Sequence, residues 1–96
     1  MANSTIKAIR PNWNAGAALT ASATKTYNVP DGFLMITKGT SINMLFCIAH
    51  SSGTRFVKTM ANNGSYTNAI DVSIDTNDDV KIVNSSGQSV IPLFYY

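Results

Sequence analysis

The sequence predicts a single all-β domain, an antiparallel β-sandwich, and three observations lead to this fold class. Good helix formers are scarce, since the chain has no glutamate while serine, threonine and asparagine supply ten residues each. From Phe33 onward, short apolar runs alternate with turn residues at intervals of about 8–12 residues, which is typical of a sandwich or barrel. The length of 96 residues suits one domain.

The predicted strands are separated by turns of recognisable chemistry. Pro30-Asp31-Gly32 begins the first strand, because proline fixes φ and glycine accepts positive φ. Asn62-Asn63-Gly64 predicts a hairpin turn. Pro92 lacks an N–H, which places the last strand at a sheet edge or a bulge. The predicted strands cover residues 33–36, 42–49, 54–60, 69–75, 80–83 and 90–96.

The N-terminal region differs from the rest of the chain. Residues 15–21 lack the periodic apolar face of a helix, and glycine, serine and threonine flank them. We therefore predict an extended arm over residues 1–26, with one or two edge strands, that serves for anchoring or as an interface. The β-sandwich domain is expected to cover residues 27–96.

Several predicted strands are apolar on both faces, although a small sandwich has one core. A domain of this size buries only about 60% of the surface of its unfolded chain. Cys47 is the only cysteine, so a disulfide within one chain is excluded. We therefore expect the arm and further copies of the chain to cover the second faces. The predicted oligomer interface comprises Phe33, Met35, Leu45, Phe94 and Tyr96.

The charge pattern and the length of the apolar runs argue against two partners, nucleic acid and the membrane interior. The net charge is +2, charged residues form 12% of the chain, and lysine and arginine are scattered singly. This is not a nucleic-acid-binding surface. No apolar run has the length of a membrane span, so no membrane insertion is expected. The N-terminus lacks the pattern of a cleaved signal peptide, and we expect synthesis in a cytoplasm.

No catalytic arrangement is visible in the sequence. His50 is the only histidine, and Cys47, three residues away, would point to the opposite face of a strand. We interpret His50 as a loop residue at the end of a strand. Asp78 and Asp79 are adjacent and would diverge in a turn, unlike the paired acids of a glycosidase. The chain is predicted not to be an enzyme and to need no cofactor.

One segment partly matches a calcium-binding loop. Asp75, Asn77 and Asp79 have the spacing of the first three ligands of an EF-hand. Val80 then occupies the glycine position, and Ser86 stands where the bidentate glutamate is needed. A hairpin turn rich in aspartate and asparagine explains the segment, and we predict no metal site.

Exposed aromatic and amide side chains are the candidate ligand-binding groups. The predicted loop 60–67 carries Tyr66 among Asn62 and Asn63, and Trp13 lies among polar neighbours. One rigid aromatic ring with neutral hydrogen-bonding groups suits a glycan; the alternative is a solvated loop. Alternating strands would place loops 39–41, 60–67 and 84–88 at one end, and loops 50–54 and 76–79 at the other, with Asp31.

Four segments carry a resemblance to a known group of proteins. Residues 10–16 (RPNWNAG), 26–33 (TYNVPDGF), 72–82 (VSIDTNDDVKI) and 91–96 (IPLFYY) are similar to motifs in small virion-surface and tail-fibre domains of tailed bacteriophages. This chain departs from that group in the turn at residues 77–79, which is usually K-G-D there.

The resemblance implies a jelly-roll-like sandwich, a parallel homotrimer and a place on the virion, with other virion proteins contacted through the arm and a host-surface glycan as ligand. It transfers no site residues. Two alternatives stay open: a capsid or tail decoration protein that only stabilises the particle, and a bacterial carbohydrate-binding module.

Overall fold

The structure, a computed structural model, describes residues 13–96. This part of the chain contains eight β-strands and one turn of 3-10 helix, Thr67–Ala69, and no α-helix, which confirms the predicted all-β class. None of its helical segments is long and apolar enough to span a bilayer. The strands are β1 (Asn14–Ala15), β2 (Thr24–Tyr27), β3 (Gly32–Lys38), β4 (Ile42–Ser51), β5 (Thr54–Asn63), β6 (Ile70–Ile74), β7 (Val80–Asn84) and β8 (Pro92–Tyr95).

The strands form two antiparallel sheets. The first has five strands in the order β1-β8-β3-β4-β5, and the second has three in the order β2-β7-β6. One hydrophobic core receives residues of both: Leu34, Ile36 and Phe46 from the first sheet, and Val80 and Ile82 from the second. The arrangement is sandwich-like, with one side of each sheet facing the shared core.

Alternation along β4 decides which of its faces enters the core. Its even-numbered apolar residues are buried and its odd-numbered ones are half-buried on the other side, as the sequence predicts. The core residues of this strand are Ile42, Met44, Phe46 and Ile48. In β6, Ile70 is buried and Asp71 is exposed, and the three residues that follow are all half-buried.

The β4–β5 hairpin is longer than predicted. Ser52 and Gly53 both have positive φ, 53° and 79°, which matches the right-handed twist of the paired strands. β5 then continues to Asn63, and the predicted hairpin at residues 62–64 is wrong. Because β6 lies in the other sheet, the chain crosses over here instead. Gly64 is required at φ 128°, where a Cβ would lie 2.6 Å from the carbonyl oxygen of Ser41.

The described part of the predicted arm belongs to the two sheets. β1 and β2 are edge strands of the first and second sheets, as predicted, and residues 15–21 form no helix. Leu19 is buried in the core and pairs with Val90. Residues 14–26 thus contribute to the sandwich that was predicted to begin at residue 27. Residues 1–12 of the predicted arm lie outside the described residues.

β8 is not at a sheet edge, since the two-residue β1 pairs along its other side. Pro92 is nevertheless accommodated because it is the first residue of the strand, where a missing N–H is tolerated.

The connections group at two ends, as the sequence predicts. Tyr66 N–H donates to Ser41 at one end, and Arg55 reaches Asp78 at the other.

Candidate functional site

The outer face of the five-stranded sheet, turned away from the three-stranded sheet, is the most distinctive surface of the described chain. Phe33 and Tyr95 lie on it with 37% and 40% of their surface exposed. Met35, Leu45 and Leu93 are half-buried on the same face. The predicted interface residues Phe33, Met35 and Leu45 therefore share one surface.

The strand register arranges this outer face in rows. One row runs Tyr95, Phe33, Cys47, Lys58 across β8, β3, β4 and β5. The next row runs Leu93, Met35, Leu45, Ala61. A third row, Thr37, Asn43, Asn63, is polar but uncharged. Of the residues in these rows, Lys58 alone is charged, so the outer face is apolar with a neutral polar border.

A groove of about 260 Å³ lies between these last two rows. Met35, Leu45 and Ala61 line it together with Thr37, Asn43, Met44 and Asn63. The register between β4 and β5 shifts beside it, between Leu45 and Phe46, where β5 holds one extra residue. Such a bulge bends the strand, which gives the groove a local cause. The groove joins two predicted interface residues to the predicted ligand residue Asn63.

Aromatic rings occupy the opposite side of the outer face. The Trp13 and Tyr95 rings are tilted by 44°, with centroids 5.6 Å apart. Their separation is that of a favourable aromatic pair. We call these two residues the aromatic edge. Tyr96, predicted at the interface, follows Tyr95 and is also exposed.

Phe94 corrects the predicted interface. Its side chain is 2% exposed and packs in the core against the ring of Tyr27, with centroids 5.3 Å apart. The residue that faces outward from β8 is its neighbour Tyr95. Tyr27 donates its hydroxyl proton to the carbonyl of Ala17, and burial raises the pKa of Tyr27 to about 12. Tyr27 is thus a core residue.

The predicted ligand residues do not form one site. Trp13 lies at the β1–β8 side of the first sheet, whereas Asn62 and Asn63 end β5 at the opposite edge. Four strand spacings of about 4.8 Å separate these edges by roughly 19 Å. Asn62 pairs with the buried Met44 and Asn63 with Asn43, so the two amides point to opposite faces. Tyr66 is 48% exposed beyond them, after the crossover turn.

A charged cluster closes the other end of the sandwich. The Nδ1 of His50 lies 2.5 Å from a carboxylate oxygen of Asp31 and donates to it, since a carboxylate only accepts. The Arg55 Nε donates to the second oxygen at 3.0 Å. The hydrogen bond from His50, with a further contribution from Arg55, lowers the pKa of Asp31. His50 is within β4 at its end, rather than in a loop.

Arg55 also links three segments of the chain. Its side chain is 7% exposed, and its guanidinium donates to the carbonyls of Val29 and Asp78 as well as to Asp31. Sequence inspection did not single out Arg55, because its acceptors are distant in the chain. Through Arg55, the cluster links the start of the edge strand β5 to the segments after β2 and between β6 and β7. This role is structural.

The Asp-rich segment forms a turn, as predicted. The Oδ1 of Asp75 accepts N–H bonds from Asn77 at 2.9 Å and Asp79 at 3.0 Å. Asp78 takes φ 66°, which aspartate tolerates. Among residues 13–96, no three histidine, cysteine or acidic side chains group in a way that could hold a metal ion.

Asn84 is a second residue that sequence inspection missed. It is 1% exposed, and all its polar atoms are paired. The amide nitrogen donates to the carbonyls of Thr20 and Gln88, at 3.0 and 2.7 Å, and the amide oxygen accepts from Ser86. It joins the loop after β7 to the strand-like segment around Leu19, which is again structural.

Comparison of the chain with protein-family models, with curated proteins and with solved structures gave no match.

Proposed function

We propose that this chain is a non-enzymatic structural protein of a bacteriophage virion, which works as a homotrimer at the particle surface. The observation that carries the proposal is the apolar outer face of the five-stranded sheet, with exposed Phe33 and Tyr95 and one charge, Lys58, in its rows. A contiguous apolar surface of this kind marks an interaction site. In this proposal the face is the surface through which copies of the chain assemble.

The sheet topology supports a jelly-roll-like classification. β1 pairs with β8 and β2 pairs with β7, so the two ends of the chain pair in the nested manner of a jelly roll. The departures are the β4–β5 hairpin, which stays in the same sheet as β3, and β6, which pairs with β7 rather than with β3. The motif resemblance to phage surface domains points to the same architecture.

The positions of the reactive side chains support a role other than catalysis. Cys47 projects from the outer face of β4, whereas His50 projects from the opposite face and is engaged by Asp31. The two groups cannot act as a nucleophile and its base. Asp31 and His50 are instead explained by the cluster around Arg55.

The geometry favours assembly over glycan recognition as the primary role. Trp13 and the amides of Asn62 and Asn63 lie at opposite edges of the first sheet, roughly 19 Å apart, so they do not form one sugar-binding site, which supports the decoration alternative. A glycan-binding role would depend on Tyr66 with Asn63. Replacement of both by alanine should then abolish adsorption to host cells without lowering the melting temperature, and unchanged adsorption would leave the decoration role.

Two measurements test the proposed function. Light scattering coupled to gel filtration should give three times the chain mass of 10.3 kDa. An antibody raised against the purified chain should label virus particles produced from the same genome. A monomer at about 100 μM, well above the dissociation constants of stable assemblies, contradicts the homotrimer. Unlabelled particles contradict the virion location.

A further inference from the structure

The outer face carries two complementary features rather than one uniform apolar surface. The aromatic edge, Trp13 and Tyr95, lies at the β1–β8 side, and the groove lined by Met35, Leu45 and Ala61 lies between β3, β4 and β5. From β8 to the middle of the β4–β5 pair is about two and a half strand spacings, or roughly 12 Å. The first feature is a pair of aromatic rings and the second is concave, and both are apolar.

We infer that the aromatic edge of one copy packs into the groove of the next copy. This inference rests on the proposed assembly and specifies its surfaces. Because the two features differ and lie side by side, the contact joins unlike patches. When each copy inserts its aromatic edge into one neighbour and receives the aromatic edge of another in its groove, the contacts run head to tail and close into a ring if the rotation allows. Two copies that exchange both contacts face to face would instead form a two-fold dimer. The proposed homotrimer requires the head-to-tail arrangement.

Charge favours a second copy over another class of partner. The rows of the outer face hold Lys58 as their one charge, at the β5 edge, so the aromatic edge of one copy meets the groove of the next without strong like-charge repulsion. A charged partner would find no complementary charges here. The groove needs an apolar insert, and the same chain supplies one in Trp13 and Tyr95.

The size of the outer face sets an upper limit on the contact. Five strands at about 4.8 Å and a mean length of about seven residues give a projected area of roughly 500 Å². This is below the roughly 800 Å² per partner of a standard interface, so the contact belongs to the small interfaces. Cys47 lies within this area, between Phe33 and Lys58, and would become covered on assembly.

Two single variants separate the two features. Ala61→Arg places a charge in the groove from an exposed position on an edge strand, and Trp13→Ala removes one ring of the aromatic edge. The matched controls are Thr24→Arg, at an exposed strand position on the other sheet, and Tyr66→Ala, an exposed aromatic ring outside both features. Thermal unfolding of all four variants verifies that they fold.

The test is light scattering on each protein alone and on an equimolar mixture. The two variants should each have one-third of the wild-type mass, and the controls should keep the wild-type mass. The mixture should give a complex of twice the 10.3 kDa chain mass, since Ala61→Arg retains the aromatic edge and Trp13→Ala retains the groove. Cys47 should react with a thiol reagent at least about tenfold faster in Ala61→Arg than in wild type, because covered groups react through rare opening.

The possible failures are distinguishable. A monomeric wild type overturns the proposed homotrimer and this contact together. A trimeric wild type with trimeric variants, with Cys47 equally protected, overturns the contact alone. Two monomeric variants whose mixture stays monomeric overturn the pairing of aromatic edge with groove. Absence of the chain from virus particles would overturn the proposed function and leave the contact standing.

Discussion

Replacement of Arg55 by methionine tests whether the end cluster holds β5 to the second sheet. Methionine keeps the aliphatic bulk of the side chain but removes every hydrogen-bond donor. The carbonyls of Val29 and Asp78 then lose the charged donor that they share, and Asp31 loses one of its two side-chain donors, Arg55 and His50. Because the Arg55 side chain is 7% exposed, water compensates poorly for these losses.

The expected loss follows from the two carbonyl bonds. A hydrogen bond to a charged group contributes about 1.5–3 kcal/mol, and the exposed position of Asp78 favours the lower value, so the free energy of unfolding should fall by about 3 kcal/mol. The ion pair with Asp31, whose side chain is 40% exposed, adds little. With a urea m-value of about 1 kcal/mol/M, the unfolding midpoint should fall by about 3 M.

The assay is urea unfolding at one fixed chain concentration, since association also contributes to stability. Lys25→Met is the matched control, because it removes the same charge from an exposed strand position and should change stability by no more than about 0.5 kcal/mol. Asp31→Asn should cost less than Arg55→Met. If Arg55→Met is as stable as the lysine control, the cluster does not fasten β5 and the reasoning from burial fails.

Three further predictions concern pH, the buried amide and metal. The hydrogen bond from His50 lowers the pKa of Asp31, so the stabilisation by the Asp31 carboxylate is complete above the unfolded pKa of about 3.9 and is lost as the pH falls through the lower folded pKa. The difference in melting temperature between wild type and Asp31→Asn should therefore shrink below about pH 4. A difference that stays constant with pH contradicts this prediction. Asn84→Asp replaces the amide nitrogen that donates to two carbonyls by a carboxylate oxygen that only accepts, so the free energy of unfolding should fall by about 3 kcal/mol. The exposed control Asn68→Asp should change it little. Excess chelator should leave the melting temperature unchanged because Asp75 already accepts two N–H bonds; a fall that calcium restores would contradict this.

Strand positions were predictable where one chemical pattern was enough. The alternation of Ile42, Met44, Phe46 and Ile48 defines a core face, and the turn chemistry of residues 76–79 defines a hairpin. The ends of β5 were not predictable in the same way. Its last residues carry amides typical of a turn, and pairing with β4 keeps them extended to Asn63.

The inward face of β8 could not be decided from its sequence. Residues 90–96 are apolar at both even and odd positions, so period-two alternation gives no phase. Pairing fixes the phase: Phe94 lies opposite the buried Leu34, and Tyr95 lies opposite Phe33 on the outer face. Because the phase was predicted wrongly by one residue, the core residue Phe94 was assigned to the interface.

The apolar residues on both faces of β8, which left its inward face undecided, also led to the prediction of an interface. A strand that is apolar on both faces must find two apolar environments, and one sandwich supplies only one. In the proposed assembly the second environment comes from contacts between chains, which local periodicity does not encode. The groove shows this limit, because it lies beside a bulge of a single residue in β5, whereas Met35 and Leu45 beside it were visible from alternation alone. The sequence therefore predicts that the outer face is covered, and the proposed contact between aromatic edge and groove specifies what covers it.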